Sequence, residues 1–266
     1  MRSPSDFGTV HPARRAFDYW WVQHRRWWRV GFAISLLSPT LYLAAMGFGV
    51  GGLVDDGSGR EVLAGVRYLE FLAPGLLAAI AMQTGMGESS WPIGNAVRWT
   101  RSYHAMVATP LRPRDVMLGQ LYFVAFRVAM GAAALLLVAT AFGAWRSWWI
   151  VLGLPAAVLC GLAHAAPTAA FAVGRTHDHA YVGLQRFVII PMFLFSGAFF
   201  PVTQLPEWGT FAAYLTPLWH GVSLCRDLSA GAPPIPATVG HAAYLALWLA
   251  IGVVLAARAH AKALVK

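Results

Sequence analysis

Two ionisable side chains within apolar stretches are the clearest candidates for chemistry in this sequence. Arg127 is the twelfth residue after Asp115, about 18 Å along a helix that starts there, which is near the middle of a membrane. An arginine at that depth costs about 2.5–3.5 kcal/mol, so it should face protein or a water-filled cavity. Glu88 is a candidate partner. Three interpretations stay open: an interhelical ion pair or carbonyl clamp, a place in a substrate path, or snorkelling to the interface.

Two catalytic motifs are excluded by the residues at their key positions. A nucleotide-binding P-loop needs GxxxxGK[ST], in which the lysine reaches the phosphates. The two lysines, Lys262 and Lys266, lie in AKALVK with no glycine before them. The GxSG motif of a rhomboid-type protease fails because Leu194 stands where the first glycine is required, before Ser196 and Gly197.

The histidines point to structure rather than to a cofactor. His164 and His241 fall inside apolar stretches, where a single histidine usually forms an interhelical hydrogen bond. The cluster His177-Asp178-His179 could bind a metal, but we interpret it as the polarity of a loop. We therefore expect this chain to bind no metal and no cofactor of its own.

The composition places these residues in a membrane protein. Of the 266 residues, 58% are hydrophobic and 12% are charged, about half of the roughly 25% typical of soluble domains. The mean hydropathy is +0.56, yet the net charge is +9. These values exclude a disordered chain, a disulfide-rich miniprotein and an ordinary soluble enzyme. The two cysteines form no framework.

The charge-free stretches predict six membrane-spanning helices, because about 20 apolar residues cross a hydrocarbon core of about 30 Å. We predict an all-α membrane protein in which residues 1–29 form a cytoplasmic N-terminal segment and residues 30–266 a six-span transmembrane domain. The predicted spans cover about 31–53, 70–94, 116–142, 148–173, 187–203 and 237–257.

The basic residues predict the orientation. With the N-terminus in the cytoplasm, four of the 20 basic residues (Arg60, Arg67, Arg146 and Arg226) lie outside, Arg127 lies in a span, and the other 15 lie inside. The positive-inside rule then places both termini in the cytoplasm. The net charge is thus a feature of topology, and we expect no binding to nucleic acid.

Residues 14–29 predict an amphipathic helix at the membrane surface. At 100° per residue the aromatic and the arginine side chains fall on different arcs. The aromatics would enter the headgroup region, and the arginines would face anionic lipid and cytosol. Two interpretations stay open: a simple topology anchor, or an elbow that also contacts a cytosolic partner. The residues that define this helix are Trp20, Trp21, Arg25, Arg26, Trp27 and Trp28.

The region after residue 187 is interrupted by several prolines and by Gly197. Irregular backbone at membrane depth is tolerated only where it is buried in protein or lines a cavity. We therefore predict short re-entrant elements on the outer side between spans 5 and 6. Phe195, Phe199 and Phe200 crowd the same region, either as helix packing or as an adaptable apolar surface for a lipid-like substrate.

Three segments together carry a recognisable pattern. They read YLEFLAPGLLAAIAMQTGMGESSWPI at 68–93, RSYHAMVATPLRPRDVMLGQLYFVAFR at 101–127 and FLFSGAFFPVTQLPEWGTFAAYLTPLWHGVSLCRDLSAG at 193–231. Their ATPL loop and FFP…LP…PL…H pattern resemble the permease subunit of ABC-2 type exporters. The nearest subgroup is the nodulation-factor (lipo-oligosaccharide) and daunorubicin-type drug export permeases. The resemblance extends over spans 2 to 6.

The resemblance implies partners and a docking loop. A permease of this type pairs with a second permease subunit, as a homodimer or a heterodimer, and with two cytosolic ATPase subunits that bind ATP and Mg²⁺. It lies among the lipids of a bacterial plasma membrane. Its loop between spans 2 and 3 holds a coupling helix, which here corresponds to Arg101, Ser102, Tyr103, His104, Thr109, Pro110 and Leu111.

The resulting hypothesis is an exporter of an amphipathic substrate, such as a lipid-linked saccharide, a glycolipid or a hydrophobic drug, that is no enzyme by itself. In this hypothesis Glu88, Arg127 and the three phenylalanines are candidates for the intramembrane path. One rival is a non-transporting scaffold or immunity protein with the same fold, which would bind no ATPase. Another is a secondary carrier, although residues 1–130 and 131–266 show no internal repeat.

Overall fold

The computed structural model describes residues 11–57, 59–63, 65–231 and 234–265, without the side chains of Trp27 and Arg60. Within this part of the chain every regular element is helical and no strand occurs. The predicted all-α class is therefore confirmed.

Long helices alternate with short ones along the chain. The first half contains α1 (Pro12–Ala44), α2 (Gly51–Asp55), α3 (Gly59–Val62), α4 (Tyr68–Glu88), α5 (Trp91–Arg98), α6 (Ser102–Val107) and α7 (Pro113–Ala141). The second half contains α8 (Gly153–Val173), α9 (His179–Leu184), α10 (Ile190–Phe195), α11 (Glu207–Tyr214), α12 (Pro217–Ser229) and α13 (Ile235–Leu264). A π-helical turn joins α1 to α2 at Ala45–Val50, and a second joins α9 to α10 at Gln185–Ile189.

Five helical segments among the described residues are long and apolar enough to cross a membrane. They overlap five of the six predicted spans and cover Trp28–Asp55, Tyr68–Arg98, Pro113–Ala141, Trp148–Val173 and Ile235–Leu264. The span predicted at 187–203 differs from the structure. The helix there begins at His179 and ends at Phe195, a length of about 25 Å. Beyond Phe195 the backbone is irregular up to Pro201.

The N-terminal amphipathic segment is not a separate surface helix. Residues 14–29 contain neither proline nor glycine, and α1 continues through them without a break into the first span. The predicted boundary at residue 29 therefore falls inside α1. Residues 1–10 lie outside the described part of the chain.

The aromatic face of this segment is covered by protein at Trp20, which is 8% exposed. Its ring lies 6.0 Å from that of Phe123 in α7, between ring centroids. The periodicity identified residues that share a face, but it could not show that α7 would cover that face instead of lipid. Four other members of the predicted set are exposed, namely Trp21, Arg25, Arg26 and Trp28, and the Trp27 side chain is not among those described.

The centre of the bundle is the contact between α4 and α8. Two thirds of the apolar window of α4 is buried (67%) against 11% for the window that follows Trp28, so α4 is central and α1 peripheral. A Cβ on Gly85 would overlap the carbonyl oxygen of Gly161, which shows that the two backbones touch. Glycine allows this approach because it has no side chain.

Contacts between distant segments define two ends of the bundle. At the first, which we call the loop end, Tyr103 of α6 packs against Trp20 of α1 and the ring of His260 near the end of α13. At the second, the far end, the Arg67 guanidinium donates a hydrogen bond to the carbonyl oxygen of Gly143 (3.1 Å).

The segment α9–α10 runs from the loop end towards the far end. Near its start, Asp178 forms an ion pair with Arg98 of α5. Beyond its end, the backbone of Ala198 lies against Gly75, which is about 10 Å from the far end of α4 at 1.5 Å per residue. The segment thus extends along most of the bundle.

Replacing Gly85 with alanine should force α4 and α8 apart. We expect Gly85→Ala to lower the free energy of unfolding by about 1–3 kcal/mol, as overpacking does in other close-packed interiors. The measurement is thermal unfolding of the purified protein in detergent. Gly131→Ala in α7 is the control, because nothing lies within 4 Å of a Cβ there. Equal midpoints for the two variants would contradict the packing described.

Candidate functional site

Helix α6 and the residues around it present most of the predicted coupling loop to solvent. Arg101, just before α6, has a φ of 50°, a left-handed conformation uncommon for a residue other than glycine. This turn redirects the chain between α5 and α6. The exposed members of the predicted set are Arg101, His104, Thr109 and Pro110, and the half-buried ones are Ser102 and Leu111.

Tyr103 is the buried member of the set, with 0% of its surface exposed. Its ring packs edge-on against Trp20 at 6.1 Å and lies 6.0 Å from the ring of His260, measured between centroids. Burial raises the pKa of the phenol well above its ordinary value. Tyr103 therefore joins α1, α6 and α13 inside the protein, and its ring is not accessible to another protein.

The exposed side of the loop is a cationic cavity of about 480 Å³ lined by Val97, Arg98, Arg101 and His104. Arg98 forms an ion pair with Asp178 and donates a second hydrogen bond to the carbonyl oxygen of Thr176 (3.0 Å). The loop that follows α8 is thereby attached to α5. Asp178, part of the polar cluster noted in the sequence, is thus engaged by an arginine.

Glu88 and Arg127 form an ion pair between the end of α4 and α7. The Arg127 Nε donates to the Glu88 Oε1 at 2.9 Å, and the Gln120 amide donates to the Glu88 carbonyl oxygen at 2.9 Å. Both charged side chains are about one quarter exposed (25% and 21%) and line an open polar cavity of about 410 Å³. Of the interpretations left open by the sequence, the ion pair is the one that the structure contains.

The Arg127 side chain also lies beside α1. An Nη1 atom of Arg127 is 3.6 Å from the position that a Cβ on Gly31 would take, close to the start of the first span. Burial lowers the pKa of His24, and the charge of Arg127 lowers it further. Arg127 is the fifteenth of the 29 residues of α7, and its depth in a membrane stays a prediction.

The three phenylalanines of the predicted path lie elsewhere, towards the far end. Phe195 is 51% exposed and lines an apolar cavity of about 490 Å³ together with Trp208. Phe199 packs against Phe193 with a centroid distance of 4.8 Å, and Phe200 is half-buried. The residues predicted as one intramembrane path therefore divide into two separate places.

Arg226 is a partly buried residue whose role the sequence did not reveal. Its Nη2 donates to the carbonyl oxygens of Gly197 (2.6 Å) and Ala198 (3.3 Å), and its guanidinium lies 3.7 Å from the centroid of the Phe71 ring. It therefore satisfies carbonyl groups that are left free where α10 ends. No sequence motif predicts this contact, because the two partners are far apart in the chain.

A histidine pair links α12 to α13 at the far end. The Nδ1 atoms of His220 and His241 are 2.8 Å apart, and the His220 Nε2 lies 3.1 Å from the carbonyl oxygen of Tyr214. A carbonyl only accepts, so Nε2 of His220 carries a hydrogen and its Nδ1 accepts from His241 when the rings are neutral. Burial, followed by the neighbouring His241, lowers the pKa of His220.

Comparison with known proteins gives consistent matches over most of the chain. The model of the family described as "ABC-2 type transporter" matches residues 17–228. Nodulation protein J of Rhizobium leguminosarum bv. trifolii is 32% identical over 236 residues, which is 87% of each chain. Nodulation protein J of R. leguminosarum bv. viciae is 33% identical over 202 residues, 75% of this chain and 74% of the relative. The protein of that name from Rhizobium meliloti (strain 1021) is 30% identical over 218 residues, 80% of each.

The Glu88–Arg127 pair can be tested by a double-mutant cycle. We expect Glu88→Gln and Arg127→Gln each to destabilise the protein, and the double variant to be more stable than the sum of the two effects predicts. The coupling should be about 0.5–3 kcal/mol, the range for residues in one ion pair. Chemical unfolding in detergent measures it. A coupling of zero would contradict the pairing.

Tyr103 should tolerate loss of its hydroxyl but not of its ring. The hydroxyl has no hydrogen-bond partner among the described residues, so Tyr103→Phe should leave stability unchanged or raise it. Tyr103→Ala should lower the free energy of unfolding by about 3–5 kcal/mol, because it opens a cavity between three helices. Thermal unfolding compares the two, and similar losses in both variants would contradict the assignment.

Proposed function

Because the chain belongs to the ABC-2 type transporter family, we propose that it is the permease subunit of an ATP-driven exporter of an amphipathic substrate. The sequence contains no P-loop, so in this proposal ATP and Mg²⁺ bind to separate cytosolic ATPase subunits. Two ATPase copies act with two permease subunits, in the simplest arrangement two copies of this chain.

The proposed topology has six crossings with both termini in the cytoplasm. The segment α9–α10 supplies the sixth crossing, since it runs from the loop end towards the far end, and the bilayer thins locally to match its short length. The loop end collects the start of α1, the loop around α6 and the end of α13, and it carries most of the basic residues counted in the sequence. The positive-inside rule supports placing this end in the cytoplasm.

Helices α11 and α12 serve as the re-entrant elements of this proposal. They measure about 12 Å and 20 Å, too short to cross a bilayer. Arg226 on α12 donates to the carbonyl oxygens of the irregular stretch after α10. This hydrogen bonding supports the presence of that irregular stretch at membrane depth. We place both helices on the outer side, where they close the far end.

The buried contact of Tyr103 is the observation that carries the coupling mechanism. ATP-driven closure of an ATPase pair would displace the exposed residues of the loop. Because Tyr103 packs directly on α1 and α13, that displacement would reach two spanning helices without an intervening flexible segment. The cationic cavity beside the loop favours an ATPase surface with acidic residues.

The substrate class is proposed from the contrast between two parts of the bundle. The Glu88–Arg127 cavity is polar and open near the loop end, whereas the Phe195 cavity is apolar and lies towards the far end. A molecule with a polar head and a hydrocarbon part matches both. Lipid-linked saccharides, glycolipids and hydrophobic drugs belong to this class, and several relatives carry a name that refers to nodulation.

The docking surface can be tested with charge changes on its exposed residues. We expect Thr109→Asp and Pro110→Asp to weaken binding of the co-expressed ATPase by about tenfold, equivalent to about 1.4 kcal/mol. Both residues are exposed, so the fold should survive. Co-purification and ATP hydrolysis in lipid nanodiscs measure the effect.

Gln204→Asp is the matched control, because Gln204 is exposed at the opposite end of the bundle. Unchanged ATPase binding and activity in both loop variants would contradict the coupling assignment. A wild-type chain that forms no complex with the ATPase would contradict the exporter proposal and favour the scaffold alternative.

A further inference from the structure

A second apolar cavity of about 250 Å³ lies within the bundle, apart from the Glu88–Arg127 pair. Residues of α4, α8, α9, α12 and α13 line it, and Met86, Pro167 and Trp248 form much of its apolar wall. We call it the His164 cavity, because His164 is one of the polar residues in its lining. The larger cavity beside Phe195 and Trp208 keeps the name Phe195 cavity.

His164 contributes a hydrogen-bond acceptor without a partner. Its side chain is buried (4% exposed), and its Nδ1 lies 2.7 Å from the carbonyl oxygen of Cys160. A carbonyl only accepts, so Nδ1 carries the hydrogen and Nε2 of the neutral ring is an acceptor. No described residue bonds to Nε2, and the Thr168 hydroxyl is already donated to the His164 carbonyl oxygen (2.8 Å). A buried polar atom left unpaired is costly unless something else bonds to it.

The two cavities adjoin at the segment α9–α10. Val188 and Met192 line both of them, and Val188 belongs to the π-helical turn Gln185–Ile189. Single π-helical turns inside helices frequently occur at functional sites. A shift of these two side chains would join the cavities into one channel.

The surroundings of the Phe195 cavity indicate what can enter it. Phe187 (81% exposed) and Trp208 (77% exposed) line it, and both present apolar surface outwards from a membrane bundle. Where no second subunit covers it, such surface meets hydrocarbon, so a molecule that enters from this side comes from the bilayer. A hydrocarbon chain is the bilayer component that fits an apolar passage of this kind.

We infer that the two cavities form one lateral binding site for the hydrocarbon chain of the exported amphiphile, in which His164 accepts a hydrogen bond from a hydroxyl or amide N–H borne by that chain. This inference rests on the proposed function. It assigns the apolar part of the substrate to the interior of one subunit, between α8 and the segment α9–α10. Met192 suits the boundary between the cavities because its flexible side chain can repack around a ligand.

The test uses a dibrominated octadecyl alcohol and its methyl ether as probes with the purified, folded chain in detergent. Bromine quenches tryptophan fluorescence on contact, and Trp248 and Trp208 line the two cavities. We expect the alcohol to produce a saturable quenching component that Trp248→Phe removes. A quenching that never saturates, or that Trp248→Phe leaves unchanged, would overturn the site.

The passage is tested by filling it. Val188→Phe should raise the apparent dissociation constant of the alcohol at least about tenfold, because its ring would occupy the boundary between the cavities. Val182→Phe is the matched control, a valine of similar exposure in α9 that lines neither cavity. Equal affinity in the two variants would overturn the lateral path.

The acceptor is tested by comparing the two probes. His164→Leu should weaken binding of the alcohol about three- to tenfold, the value of one neutral hydrogen bond, and leave binding of the methyl ether unchanged. Equal loss for both probes, or no loss for either, would overturn the role of His164. Binding of the ATPase by the same variants is measured in parallel. A chain that binds and activates the ATPase but not the alcohol refutes this site alone, whereas a chain that binds no ATPase refutes the proposed function.

Discussion

The backbone contact between α4 and α8 is the interaction on which the rest of the bundle depends. In hydrocarbon the hydrophobic effect does not drive apolar helices together, because lipid tails are as apolar as the helices. Helix association therefore relies on close packing, which small residues permit. Gly85 against Gly161 sets the separation of the two helices. The same close approach recurs where Gly221 of α12 meets Cys160, and where Gly252 of α13 meets Pro167. The remaining central helices therefore pack on α8 at positions that only small residues allow.

The loop around α6 is attached to helices at the edge of this packed centre. The loop around α6 is exposed on one side and anchored on the other, because the ring of Tyr103 is enclosed by α1 and α13. Arg98 adds a second attachment to the loop that precedes α9. A force on the exposed side of this loop would act on the peripheral helices, among which α1 is mostly exposed. The closely packed pair α4 and α8 would resist deformation. The peripheral helices are thus the ones available to move.

The predictions made from sequence succeeded or failed according to what each pattern measures. The Glu88–Arg127 pair was an open alternative, and the structure contains it. Trp20 was assigned to lipid because helical periodicity shows that residues share a face without showing what covers it. The apolar stretch at 187–203 was shifted relative to the helix, since hydropathy does not register the break after Phe195.

The sequence by itself predicted the five apolar helices that the described residues contain, lacked a P-loop motif and carried the resemblance to its family. Hydropathy and motif residues are properties of contiguous segments, and the cost of placing a segment in hydrocarbon depends on its own composition. Only the tertiary structure decided that Arg226 binds carbonyls beside Gly197, that Tyr103 is enclosed, and that His164 borders a cavity with an unpaired nitrogen. Those facts depend on the shapes of helices that are distant in the chain, and helix shape and close packing leave no periodic trace in one sequence.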